Sequence, residues 1–179
     1  KILDIGAGTG DFLLECKKQQ WEILGVEPND KAKEIAMGKG ISFGGTIEQL
    51  ESNSFDVITM WHVLEHVPDV EHQVSELKRL LKPTGTIIIA VPNYKSYDAK
   101  YYKEFWAAFD VPRHLWHFSK KAIEKLFNNQ NMYLENVKPM WFDSFYVSLL
   151  SEKHKSGKMN FISGFFIGLI SNLSGMFKN

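Results

Sequence analysis

A chain of 179 residues, 44% of them apolar, is long enough to bury one well-packed core and too short for two independent ones. Its 21 basic side chains cancel its 21 acidic ones, which removes any global attraction to nucleic acid or to an acidic membrane. Small lysine groups at 17–18, 120–121 and 153–158 read as solvated faces, and the single cysteine, Cys16, excludes a disulfide framework and fits a reducing, cytoplasmic setting.

Ile2, Leu3 and Ile5 predict a short buried strand running into Gly6-Ala7-Gly8-Thr9-Gly10, after which Asp11 is placed to cap a helix through Phe12, Leu13 and Cys16. Residues 22–26 predict a second strand and complete one βαβ unit. A helix over 29–37 begins at Asn29 or Asp30 and stops at the glycines Gly38 and Gly40, and Ile41 and Phe43 mark a short third strand. The β-branched and apolar run 55–60 predicts a fourth strand. Val70, Val74, Leu77 and Leu81 recur at helical spacing over 69–81, and Pro83-Thr84-Gly85 turns the chain into an apolar fifth strand over 86–91. Short, continuously apolar strands separated by amphipathic helices predict a largely parallel sheet covered on both faces.

From Pro92 the character changes. Residues 93–118 are rich in tyrosine, tryptophan and histidine and predict a substrate-side loop or short helix: either a lid around an apolar or aromatic acceptor, or a small core that holds the insertion in place. Arg113 is placed either to meet an acceptor carboxylate or phosphate or to pair with Asp110. Ser119 reads as the N-cap of a helix through Ala122, Ile123, Leu126 and Phe127, residues 133–137 as a sixth strand, and 141–179 as a helical extension. Ser163, Gly164, Gly168, Ser171 and Asn172 interrupt the apolar stretch 161–177, which falls short of the roughly 20 apolar residues of a membrane span. This stretch is expected to pack on the sheet, with a homodimer contact or a peripheral membrane face as the sharper alternatives. A chain opening on a core strand is expected to have lost residues upstream, and the last antiparallel strand of related sheets finds no place before Asn179.

The chemistry concentrates at the first loop. Alternating glycines at 6, 8 and 10 allow a sharp turn and close approach of backbone to a ligand. Glu27 ends the second strand 21 residues after Gly6, where an acid can accept hydrogen bonds from a ribose diol. A nicotinamide-dinucleotide fingerprint has a third glycine just beyond Gly10; this chain instead enters its helix with the large Phe12, so the cofactor is expected to lack a pyrophosphate.

These pieces, with Asp4-Ile5-Gly6 before the loop, Gly45-Thr46-Ile47-Glu48, Phe55-Asp56-Val57-Ile58, Leu64-Glu65-His66-Val67-Pro68-Asp69 and Leu80-Leu81-Lys82-Pro83-Thr84-Gly85, resemble the class I S-adenosylmethionine-dependent methyltransferases. Within that family the likeness is to the small-molecule branch that includes quinone-biosynthesis O-methyltransferases. The resemblance implies a single α/β domain over 1–179, Rossmann-like and doubly wound, with helices on both faces of a mostly parallel sheet. It implies S-adenosyl-L-methionine as cofactor: Gly6, Ala7 and Gly8 against its methionine portion, Glu27 with Pro28 at the ribose, and Asp4 supporting the loop or receiving the amino group. Ile47 would lie on the adenine, with Thr46 or Glu48 in place of the family's usual aspartate, and Trp61 and His62 would flank the methionine side.

A hydroxyl acceptor also needs a base. His62, Glu65 and His66, spaced three and four apart, are expected on one side of a helical turn, and His114 and His117 follow the fifth strand. In one reading a histidine of this set is the general base, with His114 or His62 the choice; alternatively they cap and orient, or His62, Glu65, His66 and His114 bind a divalent ion. The last arrangement resembles some metal-assisted RNA 2′-O-methyltransferases and some quinone methyltransferases, but His62 stands where their first glutamate would, which suits zinc or iron better than magnesium, and no metal site is assigned. The reading is methylation of a small, aromatic or lipid-like molecule at a hydroxyl oxygen. RNA or protein methylation and a non-catalytic binding module are the alternatives, RNA being disfavoured by the neutral charge.

Overall fold

The structure is a computed structural model that describes residues 1–177. The chain divides into two compact units, Lys1–Val91 and Pro92–Asn179, where the sequence reading expects one core.

In the first unit β1 (Ile2–Ile5), α1 (Asp11–Lys18), β2 (Ile23–Val26), α2 (Asp30–Gly38), β3 (Phe55–Trp61), α3 (Val70–Leu80) and β4 (Leu81–Ala90) alternate along the chain. The four strands lie in the order β2-β1-β3-β4 with every pair parallel. The chain leaves β1 toward one edge and β3 toward the other, so right-handed crossovers put α1 and α2 on one face and α3 on the opposite one. This is the expected Rossmann-like sheet flanked by helices. Ile2, Ala7, Leu13, Ala36 and Ile41 form a buried cluster between the sheet, α1 and α2. On α3, Val74, Leu77 and Leu80 are fully buried, one stripe of an amphipathic helix.

Three local expectations change. The expected strand at Ile41 and Phe43 shrinks to a single bridge between Gly25 and Phe43, because Gly44-Gly45 follow at once and glycine sustains strand poorly. Gly10, at φ 77, is the N-cap of α1, and Asp11 is its first helical residue. Strand β4 starts at Leu81, five residues ahead of Thr86; Leu81 pairs with Phe55, the register slips, and Pro83-Thr84-Gly85 bulges before Thr86 meets Val57. Asn29 and Asp69 cap α2 and α3 as side-chain acceptors.

The second unit contains α4 (Tyr97–Tyr102), single 3-10 turns at Lys103–Phe105 and Ala107–Phe109, α5 (Lys120–Asn128), α6 (Trp141–Ser156) and α7 (Phe161–Phe177). A bridge between Asn93 and Phe118 closes the aromatic segment on itself. Ala99, Tyr102, Trp106, Ala108 and Ile167 are its core, with Phe109 packed against them. Gly164 and Gly168 of α7 face Leu149 and Phe145, so α6 and α7 approach closely where a larger side chain would collide. Ser119 caps α5 as expected. The expected strand at 133–137 is coil: Tyr133 is 78% exposed, Glu135-Asn136 interrupt its apolar residues, and no strand among the described residues pairs with it. No described helix is long and apolar enough to cross a membrane.

Candidate functional site

The loop after β1 is strapped to the end of β2. The amides of Gly6 and Ala7 both donate to the Val26 carbonyl, at 2.7 and 3.2 Å. Gly8 then turns at φ 52 and its amide donates to Glu27 Oε2 at 2.8 Å, while Glu27 Oε1 accepts from the Asn29 amide at 2.8 Å. Both carboxylate oxygens are thereby fixed by backbone, and each keeps lone-pair capacity for a ligand hydroxyl. Pro28, exposed, separates this acid from the cap of α2.

The three glycines do different work. A β-carbon on Gly6 would collide with Cγ2 of Val63, and one on Gly10 would lie 2.9 Å from Ala36 Cβ and Ile41 Cγ1. A β-carbon on Gly8 would meet nothing within 4 Å. Gly6 and Gly10 are therefore packing requirements, and Gly8 opens the loop onto free space.

Beneath the loop Asp4 is 2% exposed, and Thr59 donates to its Oδ1 at 2.6 Å. Burial pushes its carboxyl up to about 6; the Thr59 hydrogen bond opposes this and the charge of Glu27 adds to it. Trp61 lies one residue past the Ile5–Met60 pair, level with Gly6, and packs edge-on to Phe12 with ring centroids 5.2 Å apart. Its indole Nε1–H is buried without a hydrogen-bond partner. Such a donor is a cost unless a ligand accepts from it. The open face of Gly8 and this orphaned indole both fit a bound cofactor.

Ile47, 8% exposed, sits in the 3-10 turn Ile47–Gln49, whose start is tied by the Thr46 amide donating to Gln49 Oε1 at 3.0 Å. Arg79 of α3 holds this turn from behind: Nη2 donates to the Ile47 carbonyl at 2.9 Å, Nη1 to Leu50 at 2.7 Å, and Glu76 pairs with Nη2 at 2.7 Å. Sequence reasoning missed Arg79; nothing but its spacing of three from Glu76 distinguishes it from other helix cations. Glu48 faces solvent, its carboxyl held below the usual range by the Thr46 hydroxyl and then by His72, 3.6 Å away.

His62 ends β3 at φ 56, a left-handed conformation uncommon for a non-glycine residue, with its amide bonded to the Ala90 carbonyl at 3.0 Å. The expected helical turn is instead a 3-10 turn, Leu64–His66, which still brings ligand atoms of Glu65 and His66 within 4.8 Å of each other. Glu65 is 1% exposed while His62 and His66 stay at the surface. His62 Nδ1 and Glu65 Oε1 nevertheless meet at 3.4 Å. In the second unit, His114 Nδ1 contacts the Ala108 carbonyl at 2.8 Å and His117 Nε2 the Phe109 carbonyl at 2.9 Å, which pins both rings to the turn Ala107–Phe109. Arg113 pairs with Asp110 at 2.7 Å, the plainer of its two expected roles.

A parallel sheet with a glycine-rich first loop, and an acid at the end of the second strand bonded back to that loop, defines a nucleotide-cofactor domain. A family model described as a methyltransferase domain matches residues 1–137, and the chain belongs to that family, the class I S-adenosylmethionine-dependent methyltransferases. It is 34% identical to the ubiquinone biosynthesis O-methyltransferase of Haemophilus ducreyi, over 52% of this chain and 45% of that protein. It is 30% identical to the demethylmenaquinone methyltransferase of Staphylococcus aureus, over 58% of this chain and 50% of that one. The chain thus spans about half the length of the curated relatives it matches. A solved S-adenosylmethionine-dependent methyltransferase from Thermotoga maritima superposes with a TM-score of 0.61 at 27% identity, covering 72% of this chain and 61% of that one.

Proposed function

We propose that this protein transfers a methyl group from S-adenosylmethionine to a small-molecule acceptor at a hydroxyl oxygen. The observation that carries the reading is the Glu27 carboxylate, fixed by the Gly8 and Asn29 amides at the mouth of a loop whose central glycine faces open space. Gly8 and Ala7 would bear on the methionine portion, Glu27 on the ribose hydroxyls, and Ile47 on the adenine. Asp4 would answer the positive charge through the loop, and the Trp61 indole would donate to the cofactor. Bound S-adenosylmethionine supplies an electrophilic methyl on a sulfonium; the protein orients it and excludes water.

For the acceptor proton, His62 is the general base and Glu65 the positioning residue. A buried carboxylate 3.4 Å from an imidazole nitrogen, not hydrogen-bonded to it, would stabilise the positive charge that the ring gains on taking the acceptor's proton. His66, His114 and His117 are the alternative bases. A hydroxyl acceptor is supported by the O-methyltransferase named among the relatives. Tyr94, Tyr97, Tyr101 and Trp116 remain exposed and suit an aromatic or lipid-like molecule.

The test is calorimetry with S-adenosylmethionine followed by transfer of a labelled methyl group to phenols, amines, a peptide library and RNA. Tight cofactor binding with label on phenolic oxygen is expected, and His62→Ala should lower kcat about 100-fold at unchanged cofactor affinity. Label on RNA or peptide, or binding without any transfer, overturns the acceptor class; absence of binding overturns the reading altogether. Turnover that survives exhaustive chelation is the result expected of a metal-free site.

A further inference from the structure

The last two helices are built inside out. On α6 the buried positions are Ser148, Ser151 and Glu152, and on α7 they include Gly164, Ile167, Gly168, Ser171 and Asn172. These polar groups bond inward: Ser171 Oγ donates to Asp98 at 2.5 Å, Asn172 Nδ2 to the Trp141 carbonyl at 3.0 Å, and Ser163 Oγ to Glu152 at 2.5 Å. Outward, α7 shows Phe161 at 67% exposure, Ile162 at 74%, Phe165 at 52% and Phe166 at 55%, followed by Leu173 and Met176; Phe142 of α6 is 88% exposed. A helix facing water has the opposite arrangement.

We propose that the α6–α7 hairpin is a membrane-surface anchor, with α7 lying in the plane of an anionic bilayer and its outward phenylalanines among the acyl chains. Three observations select lipid as the occupant. The outward row of α7 offers no hydrogen-bonding side chain, whereas a protein interface carries about one hydrogen bond per 100–200 Å². The end of α6 and the connection to α7 are cationic: Lys153 and Lys155 in the last turn of α6 and Lys158 after it are exposed, while Glu152 is buried against Tyr102 and Ser163. Such a cluster beside an apolar face matches anionic headgroups. A 17-residue helix reaches about 25 Å, short of the roughly 30 Å hydrocarbon core, so it lies on the bilayer rather than through it.

Flotation of the full chain with phosphatidylcholine vesicles, with and without phosphatidylglycerol, tests this, alongside sedimentation analysis without lipid. A monomer that floats with the mixed vesicles and at least tenfold less with phosphatidylcholine alone is expected. Ile162→Asp combined with Phe166→Asp should reduce flotation at least tenfold with unchanged circular dichroism. Combined Lys153→Glu and Lys158→Glu, which spares the Lys155 ammonium packed 4.9 Å from the Tyr101 ring centre, should lower flotation with the mixed vesicles toward the level seen with phosphatidylcholine alone, with unchanged circular dichroism. A monomer that floats with neither vesicle overturns the proposal. A dimer that does not float and is dissociated by the Asp substitutions overturns it in favour of a second copy of the chain. None of these outcomes depends on cofactor binding or methyl transfer.

Discussion

The Gly8 amide donates to Glu27 Oε2 at 2.8 Å, joining the first loop to the end of β2 through one side chain. Hydrogen bonds to a charged partner are worth about 1.5–3 kcal/mol, and the bond depends on the negative charge. Glu27→Gln keeps the volume and removes the charge. Calorimetry should show S-adenosylmethionine affinity falling about 10- to 100-fold, with the fold retained. Unchanged affinity would remove Glu27 from the cofactor site.

Gly8 and Gly10 are expected to fail in different assays. Gly8→Ala puts a methyl group into free space at φ 52, a strain of about 1 kcal/mol, so the variant should melt within a few degrees of the parent yet lose cofactor binding. Gly10→Ala drives a methyl group against Ala36 and Ile41, overpacking of about 1–3 kcal/mol, and should lower the melting temperature clearly. Identical behaviour of the two variants would contradict this division.

Asp4 makes stability and binding respond to pH in opposite directions. Its folded pKa, about 6, lies above the ordinary aspartate value of 3.8, so between these limits the folded chain holds a proton that the unfolded chain has released. Stability without cofactor is therefore fullest below pH 3.8 for this group and is lost as pH rises through about 6, by about 1.4 kcal/mol per unit at the steepest. A cationic cofactor favours the ionised acid, so its affinity should rise over the same window. Asp4→Asn should flatten both profiles; a variant that keeps the parental slopes would show that another group titrates.

Arg79 acts on the cofactor through the turn it holds. Arg79→Ala frees the carbonyls of Ile47 and Leu50, and the KM for S-adenosylmethionine should rise five- to tenfold with kcat nearly constant, as expected for about 1 kcal/mol of lost positioning. Arg79→Lys should rescue little, since one ammonium cannot reproduce the planar fork. A fall in kcat alone would place Arg79 elsewhere in the cycle.

The first unit was legible because its signals are local. Ile2, Leu3 and Ile5 before a glycine run, and Val74 and Leu77 on one helical stripe, reflect burial and backbone freedom that adjacent residues report on their own. The second unit was less so. Tyr133 and Val137 look like strand, but a strand exists only if another pairs with it. Tyr102 and Trp106 became core while Tyr97 and Tyr101 stayed exposed, a division that composition cannot make.

By itself the sequence determined the main strands and helices of the first unit, the glycine turn and the acid twenty-one residues after it, and through them the family, because each depends on neighbours in the chain. Only the tertiary structure decided that Gly8 rather than Gly6 or Gly10 opens on space, that Arg79 holds the Ile47 turn, and that α7 turns its apolar face outward. Those properties belong to contacts between residues distant in sequence, and packing and burial set them after the local elements have formed.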